Sequence, residues 1–291
     1  MPSAPKKASP SATVTVRVPA TTANIGPGFD TLGIALKLYN TLTVSLTDTA
    51  PTHPPFINSI ATTFFKQTQI PPTPFTLKIK AEVPIARGLG SSVTIRLGLL
   101  AALNTLHHSP LLAQQILSLV IQLEGHPDNA VPALFGGFAA ATRERYVNFP
   151  VSPRLHFIAY IPKSELSTTQ ARSVLPRKIP IADAVENLQH TALITAAFAT
   201  GNYPALRDLF QDRLHQPYRA RLIPGFQAVC EAARAAGALG AYLSGAGSTI
   251  MAITLEKPQA IAQAMARAAS KAGLKGSVLP LKADNEGLTF L

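Results

Sequence analysis

The stretch at 84–94 reads Pro84, Ile85, Ala86, Arg87, Gly88, Leu89, Gly90, Ser91, Ser92, Val93 and Thr94, and an apolar run with helical spacing follows it to about Leu106. Two glycines two positions apart let a chain turn tightly and bring several backbone N–H groups to one point. A helix beginning near Ser91 adds its free N–H groups and the positive end of its dipole at the same place. This combination suits a phosphate tail, and the hydroxyls of Ser91 and Ser92 can reach a phosphate oxygen or Mg2+. The spacing is not G-x-x-x-x-G-K-[ST], which occurs nowhere in the chain. Nor is it G-x-G-x-x-G, because Val93 takes the third glycine slot. Taken alone, the stretch is also compatible with an ordinary glycine turn that caps a helix.

Outward from this loop, Phe75, Leu77, Ile79, Ala81 and Val83 alternate with polar residues and give the clearest strand pattern. Val14, Val16 and Val18 predict a strand stopped by Pro19, and Leu42, Val44 and Leu46 repeat the pattern. A Pro-rich loop at 49–55 precedes a helix near 58–67. On the other side, Ser109-Pro110 predicts a helix start, with Ser as N-cap and Pro at the first position, running to Glu124. Pro127 begins another helix. A buried strand is expected over 155–161, and a helix capped by Asp183 reaches Thr200. Further helices are expected over 224–236 and 258–272, with the glycine loop Ser244-Gly-Ala-Gly-Ser-Thr249 between two short strands. Strands and helices mix without regular alternation, which predicts an α+β fold in two halves, 13–150 and 151–291.

Composition removes several function classes. The chain has 291 residues, 47% hydrophobic and 14% charged, which excludes global disorder. Its one cysteine, Cys230, excludes an intrachain disulfide and a cysteine-rich zinc module. No apolar run approaches the roughly 18 residues that span a bilayer, so no membrane partner is expected. The net charge of +11 invites a nucleic-acid reading. The basic residues are spread rather than clustered, however, so no nucleic-acid partner is expected, and the charge suits steering of anionic small molecules. Residues 1–12 (MPSAPKKASPSA) read as a disordered tail without the apolar core of a secretory signal, and the default location is cytoplasmic.

The other chemistry-bearing cluster is Glu124-Gly-His-Pro-Asp-Asn129. A carboxylate at the end of an apolar helix faces the negative end of the dipole and wants a cation, for which nucleotide-bound Mg2+ would serve; Glu124 pointing to water is the alternative. His126 and Asp128 can anchor a small polar substrate, or Asp128 can simply cap a helix. The loop at 244–249 reads either as a close backbone approach to a reacting site or as a tight hairpin. The segments Ser167-Thr-Thr-Gln-Ala-Arg172 and Pro217-Tyr-Arg219 each supply an arginine, the side chain that grips a carboxylate with two hydrogen bonds.

Taken together, the segments at 18–33, 84–94 and 243–250 resemble the three motifs of the GHMP kinases. Within them, the segments at 124–129, 167–172 with Leu175-Pro176, and 217–226 resemble the homoserine kinase family. The similarity runs from about Val14 to Ile253 in the same order. It implies the two-domain α+β fold of that superfamily, with an N-terminal half like ribosomal protein S5 domain 2 and a ferredoxin-like C-terminal half. It also implies ATP-dependent phosphorylation of the L-homoserine hydroxyl, a step towards threonine, with a homodimer left open. By the resemblance, Pro84 to Thr94 hold the ATP phosphates, with Asn58 near the adenine. Ser92, or Ser91, and Glu124 bind Mg2+. Asn24, Asp30, His126, Asp128, Arg172 and Arg219 surround the substrate, with Asp30 on its ammonium and the arginines on its carboxylate, while Thr168 lines the reacting end. Asn129 stands where related kinases place an aspartate base, so positioning and electrostatics are expected to dominate and the substrate proton to leave with the phosphoryl group. Two residues depart from the pattern: Val93 replaces a small alanine and Ser248 a proline. The rival readings are a kinase for another small alcohol and a non-catalytic sensor or nucleic-acid binder on the same fold.

Overall fold

The computed structural model describes residues 12–49 and 51–291. The expected tail lies outside the described residues except for Ala12, whose carbonyl accepts from the Leu46 N–H at 3.1 Å. Among the described residues the chain forms β1 (Thr13–Ala23), β2 (Leu32–Leu46), α1 (Pro55–Thr68), β3 (Phe75–Ala81), α2 (Ser91–Leu106), α3 (Ala113–Glu124), α4 (Ala130–Phe135), β4 (Phe138–Ala141) and β5 (Tyr146–Phe149). There follow β6 (His156–Pro162), α5 (Thr168–Ser173), α6 (Ile181–Thr200), α7 (Gln216–Arg219), α8 (Phe226–Ala235), β7 (Gly240–Leu243), β8 (Ile250–Thr254), α9 (Pro258–Lys271), β9 (Gly276–Leu281) and β10 (Thr289–Phe290). One sheet runs β10-β1-β2-β4-β5 with β3 also on β2; a second runs β7-β8-β6-β9. All their pairings are antiparallel. This is the α+β arrangement expected.

Alternation along the strands creates three apolar layers. In β6, Phe157, Ala159 and Ile161 face the central layer, while Ile158 and Tyr160 face α8 and α9. β8 divides the same way, with Met251 and Ile253 inward and Ile250 and Ala252 outward. In the first sheet, Val16, Val18, Leu42 and Val44 pack under α1 to α4, yet Ala20, Ile34 and Leu36 face the central layer. A register shift between Pro19 and Ala20 makes this switch, because an irregular insertion turns the following side chains over. Pro19 therefore does not stop β1. It sits at the irregularity, where its missing N–H is tolerated, and one strand serves two cores.

Helix starts moved for identifiable reasons. Ser109 adopts a left-handed φ of 56° and cannot act as the expected N-cap. The turn there wraps on Asn104, whose side chain pairs with both the N–H and the carbonyl of Leu111 at 2.9 and 3.0 Å. α3 consequently begins at Ala113, with the Gln115 side chain accepting from the Leu112 N–H. Asp183 lies inside the first turn of α6, not at its cap, where its charge still suits the dipole. Pro224 does not begin α8: Gly225, at φ 82°, turns the chain and the helix starts one residue later. Pro127 precedes α4 and contributes its carbonyl to the Val131 N–H.

Candidate active site

A cleft of about 480 Å³ opens between the start of α2, the 124–129 turn and the 244–249 loop. Its floor is the glycine–serine loop, and the sequence dictates the loop's geometry. Gly88 and Gly90 have φ of 72° and 70°, and a Cβ on Gly88 would lie 2.0 Å from the Ser244 carbonyl oxygen. The loop's carbonyls are occupied one after another. Ala86 O accepts from the Leu166 N–H, Arg87 O from the Thr249 N–H, Gly88 O from the Ser244 hydroxyl and Leu89 O from the Thr21 N–H. The second glycine loop thus braces the first from behind while Gly245, Ala246 and Gly247 line the cleft. Gly90 is the N-cap of α2, and no side chain caps that helix. The first-turn amides lack a side-chain partner, as an anion site requires.

At the far wall, Glu124 does not point to water; its side chain is largely buried. One carboxylate oxygen is paired with the Arg96 guanidinium, and the other accepts from the Ser92 hydroxyl at 3.2 Å. The cation that the sequence reading required is, in this state, Arg96, which lies over the Phe56 ring. An all-oxygen pair of one carboxylate and one hydroxyl beside uncapped amides fits Mg2+, a hard ion that prefers oxygen ligands.

The opposite wall is a relay of charged and amide side chains. The His126 Nδ1–H donates to Asp128 Oδ1 at 2.6 Å, and Asn129 Nδ2 donates to the same oxygen at 3.1 Å. Asn129 Oδ1 accepts from the Thr21 hydroxyl at 2.6 Å. Asp128 is therefore committed inside the turn, and α4 has Asn129 at its N-cap with no side-chain cap bond. Burial alone would depress the His126 pKa; the hydrogen bond and charge of Asp128, helped by Asp30 and Glu124, outweigh it and hold the pKa above the ordinary value. Arg172 Nη2 meets both oxygens of Asp30, at 2.8 and 3.0 Å. Asn24, itself left-handed at φ 67°, accepts from the Asp30 N–H and donates to the Gly245 carbonyl, which fixes the loop carrying Asp30.

Arg219 is the largest side chain among the fully buried ones. Its Nε donates to Ala171 O and its Nη1 to Gly245 O, each at 3.1 Å. Burial, and then the like charge of Arg172, lower its pKa to about 10, so it stays cationic at neutral pH. Behind it, Asp212 accepts from the backbone N–H groups of Leu214, His215 and Gln216 and from Asn187 Nδ2. His215 donates from Nε2 to Gly26 O at 2.8 Å, which leaves Nδ1 to face Arg219 at 3.4 Å as an acceptor. Complete burial lowers the His215 pKa and keeps the ring neutral, so no second cation competes with Arg219. Phe29 stacks on His215 and lies beneath both Arg172 and Arg219.

Of the residues expected from sequence, Asn24, Asp30, Ile85, Ala86, Arg87, Gly88, Gly90, Ser91, Ser92, Val93, Glu124, His126, Asp128, Asn129, Thr168, Arg172 and Arg219 line the cleft. Pro84, Leu89, Thr94 and Asn58 do not. Leu89 and Thr94 are buried, and Thr94 accepts from Asn40. Asn58 is exposed and donates to the His53 carbonyl; Phe56, one turn edge away, lines the cleft instead. The Arg87 guanidinium is held by the carbonyls of Pro162 and Lys163, so that side chain clamps the loop to β6. Ser248 is buried and its hydroxyl donates to Ser164 O at 2.7 Å. No local motif surrounds Arg96, Asn187, Asp212 and His215, and only the fold brings them to the cleft; Thr21 lies within the 18–33 segment, but nothing there marks it as a partner of Asn129.

The pattern GHMP kinases N terminal domain matches residues 55–137, and GHMP kinases C terminal matches residues 194–272. The fold is accordingly that of a GHMP kinase, a phosphoryl-transferring enzyme. The homoserine kinase of Microchaete diplosiphon is 42% identical over 299 residues, covering 96% of this chain and 97% of the relative. That of Clostridium beijerinckii is 39% identical, covering 96% and 98%. The crystal structure of homoserine kinase from Cytophaga hutchinsonii superposes with a TM-score of 0.88 at 26% identity, over 97% of this chain and 98% of that one. The chain belongs to the homoserine kinase family.

Proposed function

We propose that the protein transfers the terminal phosphoryl group of ATP to the hydroxyl of L-homoserine. The observation that carries this reading is a cleft in which one wall is an uncapped helix N-terminus and the other a pair of arginines beside a carboxylate. The first wall suits a polyphosphate and the second a small zwitterion. Arg219, with Nε and Nη1 held by carbonyls, presents its remaining terminal nitrogen to the substrate carboxylate. Asp30 takes the ammonium, and Arg172 turns from Asp30 to the carboxylate when substrate enters.

Ser92 and Glu124 would hold Mg2+, which when bound neutralises the phosphate oxygens. Phe56 offers its ring to the adenine from the open side of the cleft. Asn129 is an amide whose two ends are both engaged, so it positions and does not accept the substrate proton. Phosphoryl transfer needs little nucleophilic push, and the proton leaves with the transferred group. Catalysis is then alignment of the hydroxyl, by His126, Thr168 and the arginine pair, against a charge-stabilised phosphate.

The test is ADP release by the purified protein with ATP, Mg2+ and a panel of small alcohols. Homoserine is expected to give turnover. Release with mevalonate or a sugar, and none with homoserine, would reject the substrate assignment.

A further inference from the structure

Glu124 ends α3, and its carboxylate is divided between two partners. Oε1 accepts from Arg96 Nη1, and Oε2 accepts from the Ser92 hydroxyl at 3.2 Å. Ser92 and Arg96 stand four residues apart on α2, so both rise from one face of that helix. The ion pair is withdrawn from water: the Arg96 side chain is 19% exposed and that of Glu124 8%. Among the described residues no other pairing of Lys or Arg with a carboxylate is so enclosed on both sides. The guanidinium lies 5.0 Å over the Phe56 ring, which packs it in place. Ser92, Glu124 and Phe56 line the cleft, whereas Arg96 reaches Glu124 from outside that lining.

The grip on Glu124 is single. An arginine commonly covers both oxygens of a carboxylate, as Arg172 does with Asp30. Arg96 Nε is instead buried without a hydrogen-bond partner, so the guanidinium meets Glu124 end-on and through one oxygen. An unpaired buried donor is unfavourable, and the arrangement leaves Oε2 free of arginine, beside Ser92. Divalent ions differ in their use of such a group. Mg2+ is small and holds near-ideal octahedral geometry, which the narrow bite of a carboxylate binding through both oxygens fits poorly. Ca2+ is larger, takes about six to eight oxygens in flexible geometry and accepts both oxygens of one carboxylate. We propose that Arg96 is a positioning residue that sets metal specificity: by occupying Oε1 it makes Glu124 a one-oxygen ligand and so favours Mg2+ over Ca2+. Its positive charge opposes both ions alike, so the discrimination lies in which oxygen is free. Such selection rests on Ser92 and Glu124 holding the metal, as proposed above.

The test reads metal binding directly, with Mn2+ as the probe. Mn2+ held by the protein with a non-hydrolysable ATP analogue is followed by electron paramagnetic resonance, and Mg2+ or Ca2+ is titrated in to displace it. In the wild type, Mg2+ is expected to displace Mn2+ at about a tenfold lower concentration than Ca2+. Arg96→Met keeps the packing on Phe56 and frees Oε1, and the preference for Mg2+ should fall about tenfold, to near parity. The lost charge raises the affinity for both ions, so their ratio is the readout. An arginine that merely steadied Glu124 would, on removal, weaken both ions together and leave the ratio unchanged; that result would overturn the proposal. A wild type that takes Ca2+ as readily as Mg2+ would also overturn it, whether or not the variant folds. Glu124→Gln separates the two readings and should weaken Mn2+ binding about tenfold. If it does so while Arg96→Met leaves the ratio unchanged, only the selection by Arg96 falls. If Glu124→Gln leaves Mn2+ binding unchanged, the metal is held elsewhere and both readings fall.

Discussion

The two walls of the cleft are built on different principles. The wall proposed for phosphate is main chain: four successive carbonyls tied back, two left-handed glycines and a helix that no side chain caps. The wall proposed for the substrate is side chain: Asp30 pairs with Arg172 and His126 with Asp128 of its own turn, while Arg219, from a third helix, is held by the carbonyls of Ala171 and Gly245. A main-chain site is specified by the space around the backbone and fails when that space is filled. A side-chain site is specified by charge and can be altered one ligand at a time.

The largest expected effect follows from the first wall. Gly88→Ala places a Cβ within 2.0 Å of a backbone oxygen, at a φ that L-residues avoid. It should cost more than about 2 kcal/mol of stability and at least a hundredfold in kcat/KM, read by denaturant titration and initial rates. A tolerated alanine would show that the wall is less rigid than its carbonyl bonds require. Next, Glu124→Gln should lower kcat by on the order of a hundredfold without loss of fold, because it removes a preorganised charge from the phosphate side. Unchanged turnover would remove Glu124 from the site and leave it as an Arg96 partner.

On the second wall, Arg219→Ala should raise the KM for homoserine tenfold or more while the KM for ATP stays within about twofold. Equal effects on both substrates would erase the distinction between the walls. Asp128→Asn should shift the His126 titration, followed by NMR, from above its ordinary value to below it, since burial then acts without the compensating carboxylate. In the wild type the raised pKa means that the His126–Asp128 pair stabilises the fold fully below the unfolded-state value of about 6.5. That contribution is lost as pH rises through the folded-state value. Smallest of all, Asn58→Ala should leave both KM values unchanged, because its side chain only closes a turn on His53.

The same contrast explains what could be read from the chain. The main-chain wall is local in sequence, so its glycines, its serines and the helix at Ser91 were legible together. On the second wall His126, Asp128, Arg172 and Arg219 could be picked out by residue type, but Asp30 came only with the resemblance and none of their pairings was legible, because their spacing in sequence carries no geometry. Residues that support them from behind were silent: nothing near Asp212 announces a carboxylate accepting three backbone N–H groups, and nothing near Thr21 announces a partner for Asn129. In the fold, strand alternation was visible at 75–81 and 14–18. Pro19 misled because a lone proline does not reveal whether it ends a strand or sits at an irregularity within one. Ser109-Pro110 misled because the competing bonds come from Asn104, on the preceding helix.

The short strand β10 has a consequence for how the protein is made. It pairs Phe290 with Val16 and Thr289 with Arg17, so the margin of the first sheet is laid down by residues that leave the ribosome long after their neighbours. Until then the outer ladder of β1 stays open over those two positions, and that seam cannot shut before residues 289 and 290 have been made.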